Sequence, residues 1–118
     1  MRTKLGDFAR LAHIRDALAD AIGFARETTY EQFANDRKTL LACSRCVEIV
    51  GEATNHLTEE FKTSCPAIMW QALIKARNFY THQYFAINNR QLWQTVTEDF
   101  PPLLAEVELL LPTLPRPL

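Results

Sequence analysis

Apolar residues recur at helical spacing along nearly the whole chain, and no alternation long enough to predict a strand appears. From Leu5 to Glu27, the residues Phe8, Leu11, Leu18, Ile22 and Ala25 share one stripe, with Asp7, Arg10 and Asp20 off it. From Tyr30 to Ser64, Phe33, Leu40, Val47, Thr54 and Phe61 recur every seven residues, with Cys43, Val50 and Leu57 between them. A single helix of that length would run about 50 Å, so a bend or break near one end is expected. Gly51 lies on this seam, where a missing side chain lets a neighbouring helix approach closely. Cys65-Pro66 ends the segment, because a residue before proline is steered out of the helical region.

A third helix is predicted over Ile68–Tyr84, and Asn88, with Gln91 three residues on, reads as the cap of a fourth. In the fourth, Trp93, Val96, Phe100, Leu103, Val107 and Leu110 keep a 3-4-3-4 spacing through Pro101-Pro102, which should kink or restart the helix without changing its buried face. The residues from Pro112 to Leu118 read as an extended, Pro-rich tail. The expected fold is an all-α antiparallel bundle of four to five helices, with residues 1–111 as one domain and 112–118 as its tail.

Composition narrows the function. A chain of 118 residues, 47% hydrophobic and 23% charged, has the balance of one globular core. Only three glycines occur and no Gly-rich phosphate loop is present, so the common nucleotide-binding signatures are excluded. No secretory leader or membrane span is legible, and a cytoplasmic protein is expected. Cys43, Cys46 and Cys65 are odd in number, which suits a reducing compartment. Cys43-x-x-Cys46 falls within a helical pattern without a second pair, so it reads as buried or half-buried thiols. The carboxylates are scattered, and neither a metal nor another cofactor is expected. Net charge is -1, yet Phe61 to Thr97 contains no Asp or Glu and carries Lys62, Lys75, Arg77 and Arg90. An anionic ligand would be tolerated there.

Within that window the third helix has three faces. Trp70, Leu73, Ile74, Arg77, Thr81 and Tyr84 cluster on one; Gln71, Lys75, Asn78 and His82 form a polar strip; Ala72, Ala76 and Phe79 make a small apolar face. Two apolar faces imply burial on two sides, or burial on one and dimerisation on the other. His82 is off the apolar stripe and is the candidate reactive group, whereas His13 and His56 read as surface or helix-flank residues. Arg77 and His82 are five residues apart, about 140° around a helix, so one chain would struggle to focus both on one phosphate, whereas a two-fold dimer packed through this helix could bring the pairs of both chains into one cleft. A neutral imidazole can take the proton of a ribose 2′-hydroxyl, and an arginine can hold a phosphate bidentately. Asn78, one turn before His82, can orient the imidazole or a phosphate oxygen. Structural roles stay open: Arg77 paired with Glu48 or Glu52, Glu52 as polar support of a site, Tyr84 as core.

The string Arg77-Asn78-x3-His82-x-Tyr84 resembles the Rx4-6H motif of HEPN domains, in the form found in HepT-like toxins. The resemblance spans about Tyr30 to Leu111 and includes Phe33-x3-Arg37, Glu48-Ile-Val-Gly-Glu-Ala53, Pro66-x3-Trp70, and Leu92-Trp93 before Asp99-Phe-Pro101. Gln83, where the family often has an acidic residue, and Ala76 depart from it. The resemblance implies a homodimeric HEPN-like bundle and a metal-independent endoribonuclease toxin with an RNA substrate. Arg77, His82 and Asn78 would be its catalytic residues, and the products a 2′,3′-cyclic phosphate and a 5′-hydroxyl. It also implies a cognate minimal nucleotidyltransferase antitoxin that inactivates the toxin by attaching AMP to Tyr84. The competing reading is a non-catalytic dimeric adaptor of such a nucleotidyltransferase. A histidine phosphotransfer domain is disfavoured, since Gln83-Tyr84-Phe85 lacks the Lys and Gly expected after its histidine.

Overall fold

The seven-residue repeat from Phe33 to Phe61 is buried at every position, yet three helices carry it rather than one. A computed structural model describes residues 4–82 and 88–116. Among them, α1 (Lys4–Ala25), α2 (Tyr30–Ala34), α3 (Arg37–Asn55), α4 (Glu59–Ser64), α5 (Trp70–His82), α6 (Asn89–Gln94) and α7 (Phe100–Leu110) form an all-α bundle without strands. Its long rods are α1, α3, α5 and the joined α6–α7 unit, while α2 and α4 are short connectors.

The breaks in the expected long helix have local causes. Thr29 opens α2 with a reciprocal capping box, accepting from the Gln32 N–H while its own N–H donates to the Gln32 side chain. Asp36 caps α3 by accepting from the Thr39 N–H at 3.2 Å and the Thr39 hydroxyl at 2.7 Å. These bonds to the ionised form hold the Asp36 carboxyl below its ordinary value, the Thr39 hydroxyl contributing most. Thr58 caps α4, accepting from the Phe61 N–H. Each break restarts the helix with the same face inward, so the repeat survives it.

Asp7 corrects the sequence reading. It was placed off the apolar stripe, but it is fully buried. Its carboxylate accepts from the Thr58 N–H at 2.8 Å and the Thr58 hydroxyl at 2.6 Å, pinning the start of α1 to the α3–α4 junction. At the other end of the same pair, the Cys43 thiol lies 3.9 Å from the Ala21 carbonyl. These two contacts make α1 and α3 antiparallel, and the core fills the space between them and α5 and α7. Trp70 then fixes α5 to α4: its indole N–H lies 3.1 Å from the Lys62 carbonyl and 3.2 Å from that of Cys65.

The double proline restarts the last helix as expected. Asn88 caps α6 by accepting from the Gln91 N–H at 3.0 Å. The backbone then widens into a π turn over Thr95–Asp99, in which the Phe100 N–H reaches back five residues to the Thr95 carbonyl. Pro101 and Pro102 thereby occupy the first turn of α7, where absent N–H groups break no helix bond. The tail departs from the expected extended arm. Leu111–Thr113 makes a 3-10 turn, Leu111 is buried, Leu114 packs against the core, and the Arg116 guanidinium sits 5.5 Å from the Phe8 ring centre.

Asp7→Ala should leave the Thr58 N–H and hydroxyl unsatisfied and lower stability by roughly 1–3 kcal/mol. Urea unfolding followed by circular dichroism checks this; a midpoint unchanged from the parent would contradict the staple.

Candidate active site

Arg77 is seated by a missing side chain. A Cβ placed on Gly51 of α3 would collide with Cβ of Arg77 and lie 2.6 Å from the Leu73 carbonyl oxygen. The glycine anticipated as a point of close approach is that point, and the helix it admits is α5. Arg77 lies with its stem against Gly51 and its head at the surface; the side chain is 23% exposed.

The head meets Glu52, the residue after the glycine. The Arg77 Nη1 is 3.3 Å from Glu52 Oε2, and the other oxygen, Oε1, is 2.9 Å from His56 Nε2. Glu52 therefore joins α5 to the next turn of α3. Of the two partners left open for Arg77, the structure selects Glu52; Glu48 instead pairs with Arg45 at 3.3 Å. Arg77 Nε is buried without a hydrogen-bond partner among the described residues.

The faces of α5 sort largely as expected. Trp70 and Tyr80 are buried, and Leu73, Ile74 and Arg77 are half-buried. Gln71, Lys75 and Asn78 are exposed, and so is Ala72. Ala76 and Phe79 are half-buried, packed against the core by their edges. Thr81, expected on the core face, is exposed, and its neighbour Tyr80 takes the inward place. The spacing Trp70, Leu73, Arg77, Tyr80 is the 3-4-3 pattern that the assignment of Thr81 overlooked. Burial raises the Tyr80 phenol above its ordinary value, and its ring meets Phe79 edge-on at 5.1 Å. His82 is the last residue of α5, and Tyr84 lies outside the described residues.

One neighbour of the site was missed. His56 is the exposed helix-flank residue the sequence suggests, the C-cap of α3, but it also stands one turn after Glu52 and holds its carboxylate. The i,i+4 spacing of Glu52 and His56 was the available signal. Cys43 and Cys46 are both buried. Loss of hydration pushes the Cys43 thiol up to about 12 and the Cys46 thiol up to about 11. Among the described residues, no three His, Cys, Asp or Glu side chains group as metal ligands. No described helix is long and apolar enough to cross a membrane.

Comparison with known proteins adds sequence-level findings. The family model described as "Ribonuclease HepT-like" matches residues 14–110. A protein of Thermococcus cleftensis named probable ribonuclease HepT is 38% identical over 100 residues, covering 85% of this chain and 91% of that one. A candidate RNase of Methanocaldococcus jannaschii, MJ1380, is 34% identical over 101 residues, covering 86% and 93%. No solved structure matches the chain.

The thiols supply a check on the packing beneath the site. At pH 8, iodoacetamide should label Cys65 of the native protein first, with Cys43 and Cys46 modified at least tenfold more slowly and reaching the Cys65 rate only after unfolding. Peptide mass mapping reads this out; equal native rates at all three would contradict the buried, protonated pair.

Proposed function

Because the chain belongs to the HepT-like ribonuclease family, we propose that it is a metal-independent endoribonuclease and the toxin of a cytoplasmic toxin–antitoxin pair. The observation that carries this reading is the seating of Arg77. A guanidinium is held at the surface by Gly51 and Glu52, five residues before His82 on the same helix.

In the proposed reaction the His82 imidazole removes the proton of a ribose 2′-hydroxyl. The 2′-oxygen attacks the adjacent phosphorus, the bond from phosphorus to the 5′-oxygen breaks, and that oxygen leaves as a hydroxyl on taking a proton from water, while the imidazolium returns its proton to solvent. The protein needs to supply a base and charge stabilisation, contributions of about 10²–10⁴ from general-base catalysis and a further comparable factor from preorganised donors. Arg77 is assigned to the phosphate oxygens. Exposed Asn78, adjacent to Arg77, is assigned to orient either the phosphate or the imidazole, and Glu52 to position Arg77.

Arg77 and His82 diverge by about 140° around an ideal helix, so the working cleft is proposed to form between two copies related by a two-fold axis. The exposed side of α5 supports this. Ala72 is uncovered, Met69 just before the helix is 75% exposed, and beside them a groove of about 470 Å³ runs to Pro102 and Leu103 of α7, its apolar floor edged by Glu98, Asp99 and Glu106. Regulation is proposed to be covalent: a cognate nucleotidyltransferase transfers AMP to the Tyr84 hydroxyl, adding charge and bulk where an RNA backbone would lie.

His82→Ala should abolish cleavage of total cellular RNA and growth toxicity while leaving the melting temperature within about 2 °C of the parent. Arg77→Ala should also abolish cleavage but lower stability more, since its stem fills the contact with Gly51. Retained cleavage in His82→Ala would refute His82 as the base, and absence of cleavage by the parent protein would favour the adaptor reading. Light scattering should return twice 13.6 kDa at micromolar concentration; a monomer would remove the shared cleft. Incubation with the nucleotidyltransferase, ATP and magnesium should add AMP-sized mass increments that are absent from Tyr84→Phe.

A further inference from the structure

His13 and His56, read as surface or helix-flank residues, come together in the fold. Arg10 and His13 of α1, with Arg45 and Glu52 of α3 and His56 at its C-cap, line one groove of about 260 Å³. Arg45, Ile49, Glu52 and the capping His56 are spaced 4-3-4, a stripe running about 16 Å beside the core-facing one. The antiparallel register fixed by Asp7 with Thr58 and Ala21 with Cys43 sets Arg10 and His13 opposite the turn from Glu52 to His56.

Charge distinguishes this groove from ordinary surface. Glu52 is the single carboxylate lining it, and that carboxylate is already shared between His56 and Arg77. Arg10 has no ion pair among the described residues, and Arg45 has only the half-buried Glu48 at 3.3 Å. A groove with two arginines and two imidazoles around one engaged carboxylate is short of negative charge. Half-buried Ile49 supplies an apolar floor between the cationic ends. The same Glu52 touches Arg77, so the groove opens directly onto the proposed site.

The geometry points to an anion track: the Arg10–His13–Arg45–His56 groove binds phosphodiesters of single-stranded RNA flanking the scissile bond, with Glu52 marking its junction with Arg77. This rests on the ribonuclease reading and extends it to residues outside the acid-free window from Phe61 to Thr97. The groove supplies affinity and register rather than chemistry, because phosphate contacts position a strand without reading its sequence.

The test uses full-length His82→Ala protein, so that RNA stays intact, and a fluorescein-labelled 15-nucleotide RNA of mixed sequence. Anisotropy titrations are run from 50 to 300 mM KCl. Adding Arg10→Gln and Arg45→Gln together should weaken binding at least tenfold at 100 mM KCl. Two lost contacts should also flatten the slope of log affinity against log salt by about 1.4. The matched pair Arg10→Lys and Arg45→Lys should restore most of the slope, since lysine keeps the phosphate charge. Arg26→Gln with Lys38→Gln, an equal charge change at exposed positions away from the groove, should shift affinity less than twofold. Equal losses in the groove and control variants would overturn the track and leave the ribonuclease reading standing, with the effect assigned to net charge. Failure of the His82→Ala protein itself to bind this RNA at 50 mM KCl would remove both.

Discussion

The closest approach in the candidate site is the contact of α5 with α3 at Gly51, and the rest of the site depends on it. Backbone and Cβ of α5 occupy the volume that any side chain at residue 51 would need. That contact sets the distance between the two helices. It also aims the Arg77 stem along α3, so that the guanidinium emerges beside Glu52 rather than into solvent or core. Packed interiors deform little, so a methyl group there must displace the helix rather than compress it. The same restriction gives Arg77 a fixed station without the full set of structural hydrogen bonds a buried arginine would otherwise require.

A second constraint works from the other side of α3. The fully buried Asp7 carboxylate holds the Thr58 backbone and hydroxyl, and Trp70 holds the end of α4. The chain between α3 and α5 is thereby tied at both ends, and α5 begins from a fixed point. Position and direction of the arginine-bearing helix follow from four polar contacts and one glycine, with the apolar core supplying the remaining stability. The ion pairs around Glu52 are half-exposed and contribute little to stability. Their consequence is orientation.

Most of the architecture was legible because the seven-residue repeat and the 3-4-3-4 spacing of the last segment each mark a face that must be buried. The repeat could not reveal the breaks at Asp36 and Thr58, since each restart preserves the face; the capping residues themselves were the readable signal. Asp7 was misjudged because its partner lies 51 residues away, and a buried carboxylate is legible only once the donor is known. Arg77, Asn78 and Gly51 could be singled out from spacing and chemistry. The grouping of His13 and His56 could not, since it depends on the register between α1 and α3. Tyr80 was lost to a one-residue choice between adjacent positions on α5.

In the proposed reaction this fold holds a base and a phosphate-binding arginine for cleavage by the RNA's own 2′-hydroxyl. The chemistry of the product ends tests it most directly. Purified protein is incubated with a defined RNA in excess EDTA, and the fragments are analysed by mass spectrometry. The account predicts 2′,3′-cyclic phosphate and 5′-hydroxyl termini, absent with His82→Ala protein and with substrate carrying a 2′-deoxy sugar at the cleavage point. Fragments bearing 5′-phosphate and 3′-hydroxyl ends, or cleavage that appears only when a divalent metal is restored, would contradict it.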